Sequence, residues 1–251
     1  MIYTSEMIEI INNGFYPTLD TQIARYMGFN RFQQLVESKT LWMANGKFFD
    51  DKNEGAIPSS FFEKWEKETA NNYFTIQKLK NRIYTAYISC WFEYERESEP
   101  MWLAYGGIKA DGKRDSNGIC IITDVGKLAA YTHYLDTHIY KISYIDYLES
   151  KKVEPPFYFS KNTEEKIPVF SSRVFYAYKQ KEYSSENEIR AITYKKSKEK
   201  GIYANINPED FINKIIINPH ASKEQTESIV EYLKDQELTD KLIKSKIICK
   251  S

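Results

Sequence analysis

The sequence predicts an α+β fold, with a central mixed or antiparallel β-sheet and helices around it. Apolar runs of strand length, rich in Ile and Tyr, recur from Ile23 to Ile217. Segments with helical spacing fall between them at uneven intervals. No regular β-α alternation appears, which argues against a doubly wound parallel sheet. There is no internal repeat and no evident linker, so residues 1–251 read as a single domain, long enough to bury a sizeable core.

The elements follow in order. Met7, Ile8, Ile10 and Ile11 predict a short helix over 4–13, ended by Asn12-Asn13-Gly14. Ile23 to Met27 is a short strand or the end of a helical turn. Phe32, Leu35 and Val36 have helical spacing, and Thr40 to Ala44 reads as a strand. Gly46 to Gly55 is a loop. Ser60 with Glu63 forms a capping-box pair opening a long helix through Phe62, Trp65, Thr69, Tyr73 and Ile76. Ile83 to Phe92, apolar on both faces, is a central strand. Glu93, Glu95, Glu97 and Glu99 outnumber Arg96, as in a solvated loop. Met101 to Tyr105 starts a short helix, and Gly106 to Gly118 is a loop. Ile119 to Thr123 and Ile139 to Ile145 are strands, while 149–170, with Pro155-Pro156, is a flexible excursion. Ile189 to Tyr194 and Lys214 to Ile217 are strands. Ser222 with Gln225 caps a helix through Ile229, Val230 and Leu233, and 239–251 is a short Lys-rich helix or coil.

Lys plus Arg and Asp plus Glu each total 35, so the formal net charge is zero. A global field steering the chain onto nucleic acid is therefore absent, which leaves local binding open. Aromatic residues make up 15%, enough to fill a core and still line a cleft. Cys90, Cys120 and Cys249 are too scattered for a disulfide framework, and no Cys/His pair has zinc spacing, so no metal is predicted. The N-terminus lacks the continuous apolar stretch of a signal peptide, and no run reaches about 18 apolar residues, so a cytoplasmic, non-membrane protein is expected. Phosphate loops, dinucleotide fingerprints, nucleophile elbows and H-E-x-x-H are all missing.

Three clusters could carry chemistry. In Tyr183 to Arg190, strand alternation would put Glu186, Glu188 and Arg190 on one face, in steps of roughly 7 Å. Two carboxylates beside a guanidinium can be given different pKa values and different roles; the competing reading is a solvated strand face with a Glu–Arg pair. Phe49 to Gly55 holds Asp50, Asp51 and Glu54, either a cation-binding loop or a capping turn. Trp102 and Tyr105, three apart, share a helix face that could stack on a planar ring or pack as core.

Taken in order, Arg25-Tyr26, Thr40 to Asn45, Phe49 to Glu54, Ser89-Cys90-Trp91, Met101-Trp102 with Tyr105, Gly118 to Ile121, and Lys179 with Tyr183, Glu186, Glu188 and Arg190 resemble a bacterial family catalogued as domain of unknown function 2971. The resemblance spans about residues 23–220, leaving 221–251 as a helical extension. The loop departs from the family's Phe-Asn-Asp-Pro-Phe-Glu pattern, and Tyr183 stands where the family has Trp.

More distantly, the layout is similar to the split-sheet ADP-ribosyltransferase fold, with Arg25, Ser89 and Glu188 (or Glu186) in matching order. That resemblance implies NAD as substrate. Glu188 would stabilise the oxocarbenium-like state and Glu186 would help deprotonate the acceptor. Arg25 would hold the diphosphate and Tyr26, Trp102 or Tyr105 would stack on nicotinamide, with Ser89 and Arg190 completing the cofactor contacts. It implies a toxin or phage-defence effector acting on a macromolecule, with an antitoxin as possible partner. Residues 175–200 carry seven Lys/Arg against four Glu, a local excess that slightly favours RNA or DNA over protein as acceptor. The alternatives are a non-enzymatic module holding a nucleotide or partner, and a metal-dependent nuclease built on Asp50, Asp51, Glu54 and Glu188.

Overall fold

The computed structural model describes residues 16–49, 51, 54–55, 60, 63, 81, 83–106, 116–146, 157–159, 166–168 and 176–247. The expected helix over 4–13, nearly all of the one opened at Ser60, Asp50 and Cys249 lie outside the described residues. In chain order the described elements are β1 (Gln22–Gly28), α1 (Phe29–Ser38), β2 (Thr40–Asn45), β3 (Ala86–Glu93), α2 (Glu99–Tyr105), β4 (Gly118–Asp124), α3 (Val125–Thr132), β5 (His138–Lys141), β6 (Ser143–Ile145), β7 (Phe157–Phe159), β8 (Lys166–Pro168), β9 (Tyr178–Gln180), β10 (Glu188–Tyr194), β11 (Gly201–Asn205), α4 (Pro208–Phe211), β12 (Lys214–Ile217) and α5 (Lys223–Asp235). The fold is α+β, and its long ladders are antiparallel. Among the described residues, no helix is long and apolar enough to cross a membrane.

The chain divides into two units. The first comprises Met1–Pro17, Met43–Cys90 and His133–Ile202. Here β10 pairs antiparallel with β5, Arg190 standing opposite Tyr140, and it also pairs with β3. Ile88, Tyr140, Tyr176 and Ile192 pack together as a core, with Cys90 and Tyr194 against it. Gly46 cannot carry a side chain without displacing that core, because a Cβ there would stand 2.5 Å from the Tyr176 ring. Within the segment expected to be a flexible excursion, β7 and β8 form a short antiparallel pair.

The second unit comprises Thr18–Trp42, Trp91–Thr132 and Tyr203–Ser251. β4 lies between β1 and β12, and every residue from Gly118 to Thr123 is buried, as the two-sided apolar run requires. Strand alternation sorts β1 cleanly. Ala24 and Tyr26 join Trp102, Cys120 and Ile216 in a core on one face, while Arg25 points to the other. α1 buries Phe29, Phe32, Leu35 and Val36 and leaves Arg31, Glu37 and Ser38 exposed. Ser222 and Gln225 complete a reciprocal capping box at the start of α5. The acidic run at 93–99 is not wholly a solvated loop. Glu97 accepts from the Trp102 indole at 3.3 Å, the Ser245 hydroxyl at 2.7 Å and the Lys246 amide at 2.6 Å, so it fastens the C-terminal segment.

Candidate functional site

Among the described residues, each unit holds an arrangement that could support chemistry. In the first unit it is a buried ion cluster on β10. Glu188 and Arg190 share a face, as strand alternation requires, but that face is not solvated: they are 6% and 1% exposed. Arg190 donates Nε to Glu188 Oε1 at 2.7 Å and Nη2 to Oε2 at 2.7 Å. Its other edge reaches Glu54, with Nη1 to Oε2 at 2.8 Å and Nη2 to Oε1 at 3.0 Å, and Nη1 also donates to the Tyr176 carbonyl at 3.1 Å. All five guanidinium donors are thus engaged.

Lys179, at the centre of β9, supplies the second cation. Its ammonium lies 2.5 Å from Glu186, 3.3 Å from Glu188 and 3.5 Å from Glu54. It also sits 4.8 Å from the Tyr183 ring centroid, a cation–π distance. The Tyr144 hydroxyl accepts from the Glu188 amide at 2.8 Å.

Glu186 is placed differently from the sequence expectation. It ends a 3-10 turn, Lys181–Glu186, and Asn187 follows with a left-handed φ of 40° before the strand begins. Glu186 is therefore not a step on the strand face. It meets Glu188 through the shared Lys179 ammonium.

The electrostatics follow from this packing. Burial alone would raise the Glu188 carboxyl, but the Arg190 charge, its hydrogen bonds and Lys179 outweigh it and hold the group at about 2. Burial would lower Lys179, and Glu188 with Glu186 reverses that, keeping its pKa above the ordinary value. The Cys90 thiol donates to Glu188, and burial followed by the neighbouring carboxylate pushes its pKa well up, so it stays protonated. Glu54 and Glu188 both pair with Arg190, so the cation between these two acids is a guanidinium.

In the second unit the arrangement is a cavity of about 750 Å³ bounded by β1, α1, the start of β2 and Tyr203. Arg25 lines it. Its guanidinium carbon lies 5.8 Å from the Trp91 ring centroid, and Nη1 donates to the Trp42 carbonyl at 3.4 Å. Arg31, Trp42 and Tyr203 line the same hollow. Tyr26 also lines the cavity, but its ring packs into the core, 4.8 Å and edge-on to Trp102, and its hydroxyl accepts from the Ser98 amide at 3.1 Å. Burial pushes that hydroxyl's pKa up. Trp102 is 2% exposed and Tyr105 48%, and neither is among the described residues lining the cavity.

The structure therefore brings Glu188, Glu186 and Arg190 together in one unit and puts Arg25 on a cavity wall in the other. Ser89, in the first unit, is fully buried on β3 and, by alternation, points away from the face carrying Cys90. Sequence reasoning quoted Lys179 in the family motif without giving it a role, and did not assign Arg31, Trp42 or Tyr203. Helical spacing puts Arg31 and Ser38 on one side of α1, a signal that was available; the approach of Tyr203 to Trp42 had no local signature.

No protein-family model and no curated protein matches the chain. The resemblance to domain of unknown function 2971 thus rests on the motifs quoted above. Among solved structures, Thermus sp. 2.9 DarT in complex with ADP-ribosylated ssDNA is similar over 92% of this chain and 95% of that one, at 12% identity and a TM-score of 0.39. At that score the likeness decides nothing about this chain's chemistry.

Proposed function

We propose that the protein is an ADP-ribosyltransferase-like enzyme that uses NAD as substrate and modifies a macromolecule, with nucleic acid favoured over protein as acceptor. The observation that carries this reading is Arg25. Its guanidinium rises from the strand between the buried Ile23 and Met27, on the face opposite Tyr26, and lines a hollow of about 750 Å³, large enough for a dinucleotide. Forked donors suit a diphosphate. In support, Glu188 is a carboxylate held ionised at neutral pH on a strand, the kind of group that stabilises positive charge developing on a ribose. A role as a toxin or defence effector silenced by an antitoxin belongs to the same reading.

A second reading, a nucleotide-binding module without turnover, is favoured by one fact: both Glu188 oxygens already accept from Arg190, and one also faces Lys179. The deciding experiment incubates the protein with labelled NAD and a cell extract, with and without magnesium. Label transfer that is lost in Glu188→Gln and in Arg25→Gln, with both variants folded, supports the transferase. NAD binding without turnover supports the module. Nucleic acid cut only with magnesium, NAD being untouched, rejects both in favour of a nuclease.

A further inference from the structure

We propose that the cavity of the second unit is a nucleoside diphosphate site in which the Trp42–Tyr203 pair is the platform for the base and Arg31 joins Arg25 in holding the diphosphate. The inference shares its cavity with the proposed transferase but needs none of that enzyme's chemistry.

The aromatic pair forms a corner. The two ring centroids are 4.8 Å apart and the planes meet at 61°, so a planar ring can lie on one face while the other borders its edge. Trp42 is half-buried and Tyr203 is 60% exposed, so part of this aromatic surface remains open to solvent. Covering such a face with a base is favourable whatever the base, because every base offers a π face.

The charges complete the match. Arg25 approaches from β1 and Arg31 from the polar side of α1, and both line the same hollow. Among the described lining residues the single acid is Glu37, whose carboxylate accepts from the Tyr232 hydroxyl at 3.3 Å. Two guanidinium charges against one carboxylate charge favour an anion, and two adjacent phosphoryl groups suit forked donors. The volume suits a ligand of this size.

Titration calorimetry on the whole chain tests this with ADP as probe, alongside adenosine and inorganic diphosphate. Two variants are compared, Arg31→Gln and Tyr203→Ala. Both residues are exposed, so neither change threatens the fold. Saturable ADP binding, tighter than that of either fragment and weakened about ten-fold by each variant, is the expected result. Failure of ADP to bind, or wild-type affinity in either variant, overturns the proposal. Because ADP cannot be a donor of ADP-ribose, the two readings fail separately. ADP binding without NAD turnover supports this site and removes the transferase. NAD turnover with an unchanged KM in both variants removes this site and leaves the transferase.

Discussion

Arg190 and Glu54, 136 positions apart in the chain, are joined by two parallel hydrogen bonds of 2.8 and 3.0 Å. Through this contact a loop before the first unit's central strands is tied to the strand that carries Glu188. The guanidinium is 1% exposed, so its removal leaves two carboxylates buried without their main counter-ion. Arg190→Met is expected to cost about 3–5 kcal/mol of stability. Arg190→Lys is expected to recover little, since an ammonium cannot make two forked pairs at once. Urea unfolding midpoints of the three proteins check this.

The same cluster sets a pH dependence. Glu188 sits at about 2 in the folded protein against an ordinary 4.5. Between those values the unfolded chain binds the extra proton, so stability rises with pH across the window. Its contribution is complete above about 4.5 and is lost as pH falls towards 2. Glu188→Gln should be less stable at neutral pH and should show a shallower acid limb. Denaturant midpoints from pH 2 to 7 measure both.

Trp102 and Trp42 should behave oppositely. Trp102 packs edge-on to Tyr26 and donates its indole N–H to Glu97. Trp102→Phe is expected to lower stability by about 1–3 kcal/mol and leave NAD affinity unchanged. Trp42→Ala, on the cavity wall, is expected to weaken NAD binding about ten-fold. Calorimetric titration with NAD separates the two.

Gly118 should tolerate no side chain. A Cβ there would stand 1.5 Å from the Gly106 carbonyl oxygen, a backbone atom that cannot swing aside. Gly118→Ala is expected to cost at least the roughly 1–3 kcal/mol typical of overpacking. Gly126→Ala, whose nearest neighbours lie at 3.1 and 3.2 Å, is the control and should stay within about 1 kcal/mol of the parent. Thermal unfolding of both variants tests the contrast.

What could be read from residue order was what depends on near neighbours. The capping box at Ser222 and Gln225 is a three-residue signature, and it stands as read. The run at Ile119 is apolar on both faces because β4 is covered on both sides, and in β12 the adjacent Ile215 and Ile216 are likewise buried on opposite faces. α3 went unassigned although Val125, Leu128 and Thr132 have helical spacing, because Gly126 and the preceding strand blur its start. β11 was missed because its five residues show no clean period-two alternation: Gly201 and Ala204 are buried, Ile202 is half-buried, and Tyr203 and Asn205 are exposed. In the ion cluster, Glu188 and Arg190 were legible as a same-face pair. Their burial was not, since it depends on Glu54 and Lys179 arriving from elsewhere in the chain.

The left-handed backbone at Asn187 has an evolutionary corollary. Because the chain pivots there, Glu186 and Glu188 reach one ammonium from two different elements, and the motif's one-residue gap is a hinge rather than a strand period. Descendants of this sequence can exchange Asn187 for Gly or Asp at little cost, whereas Val or Ile would unhook one acid from the other.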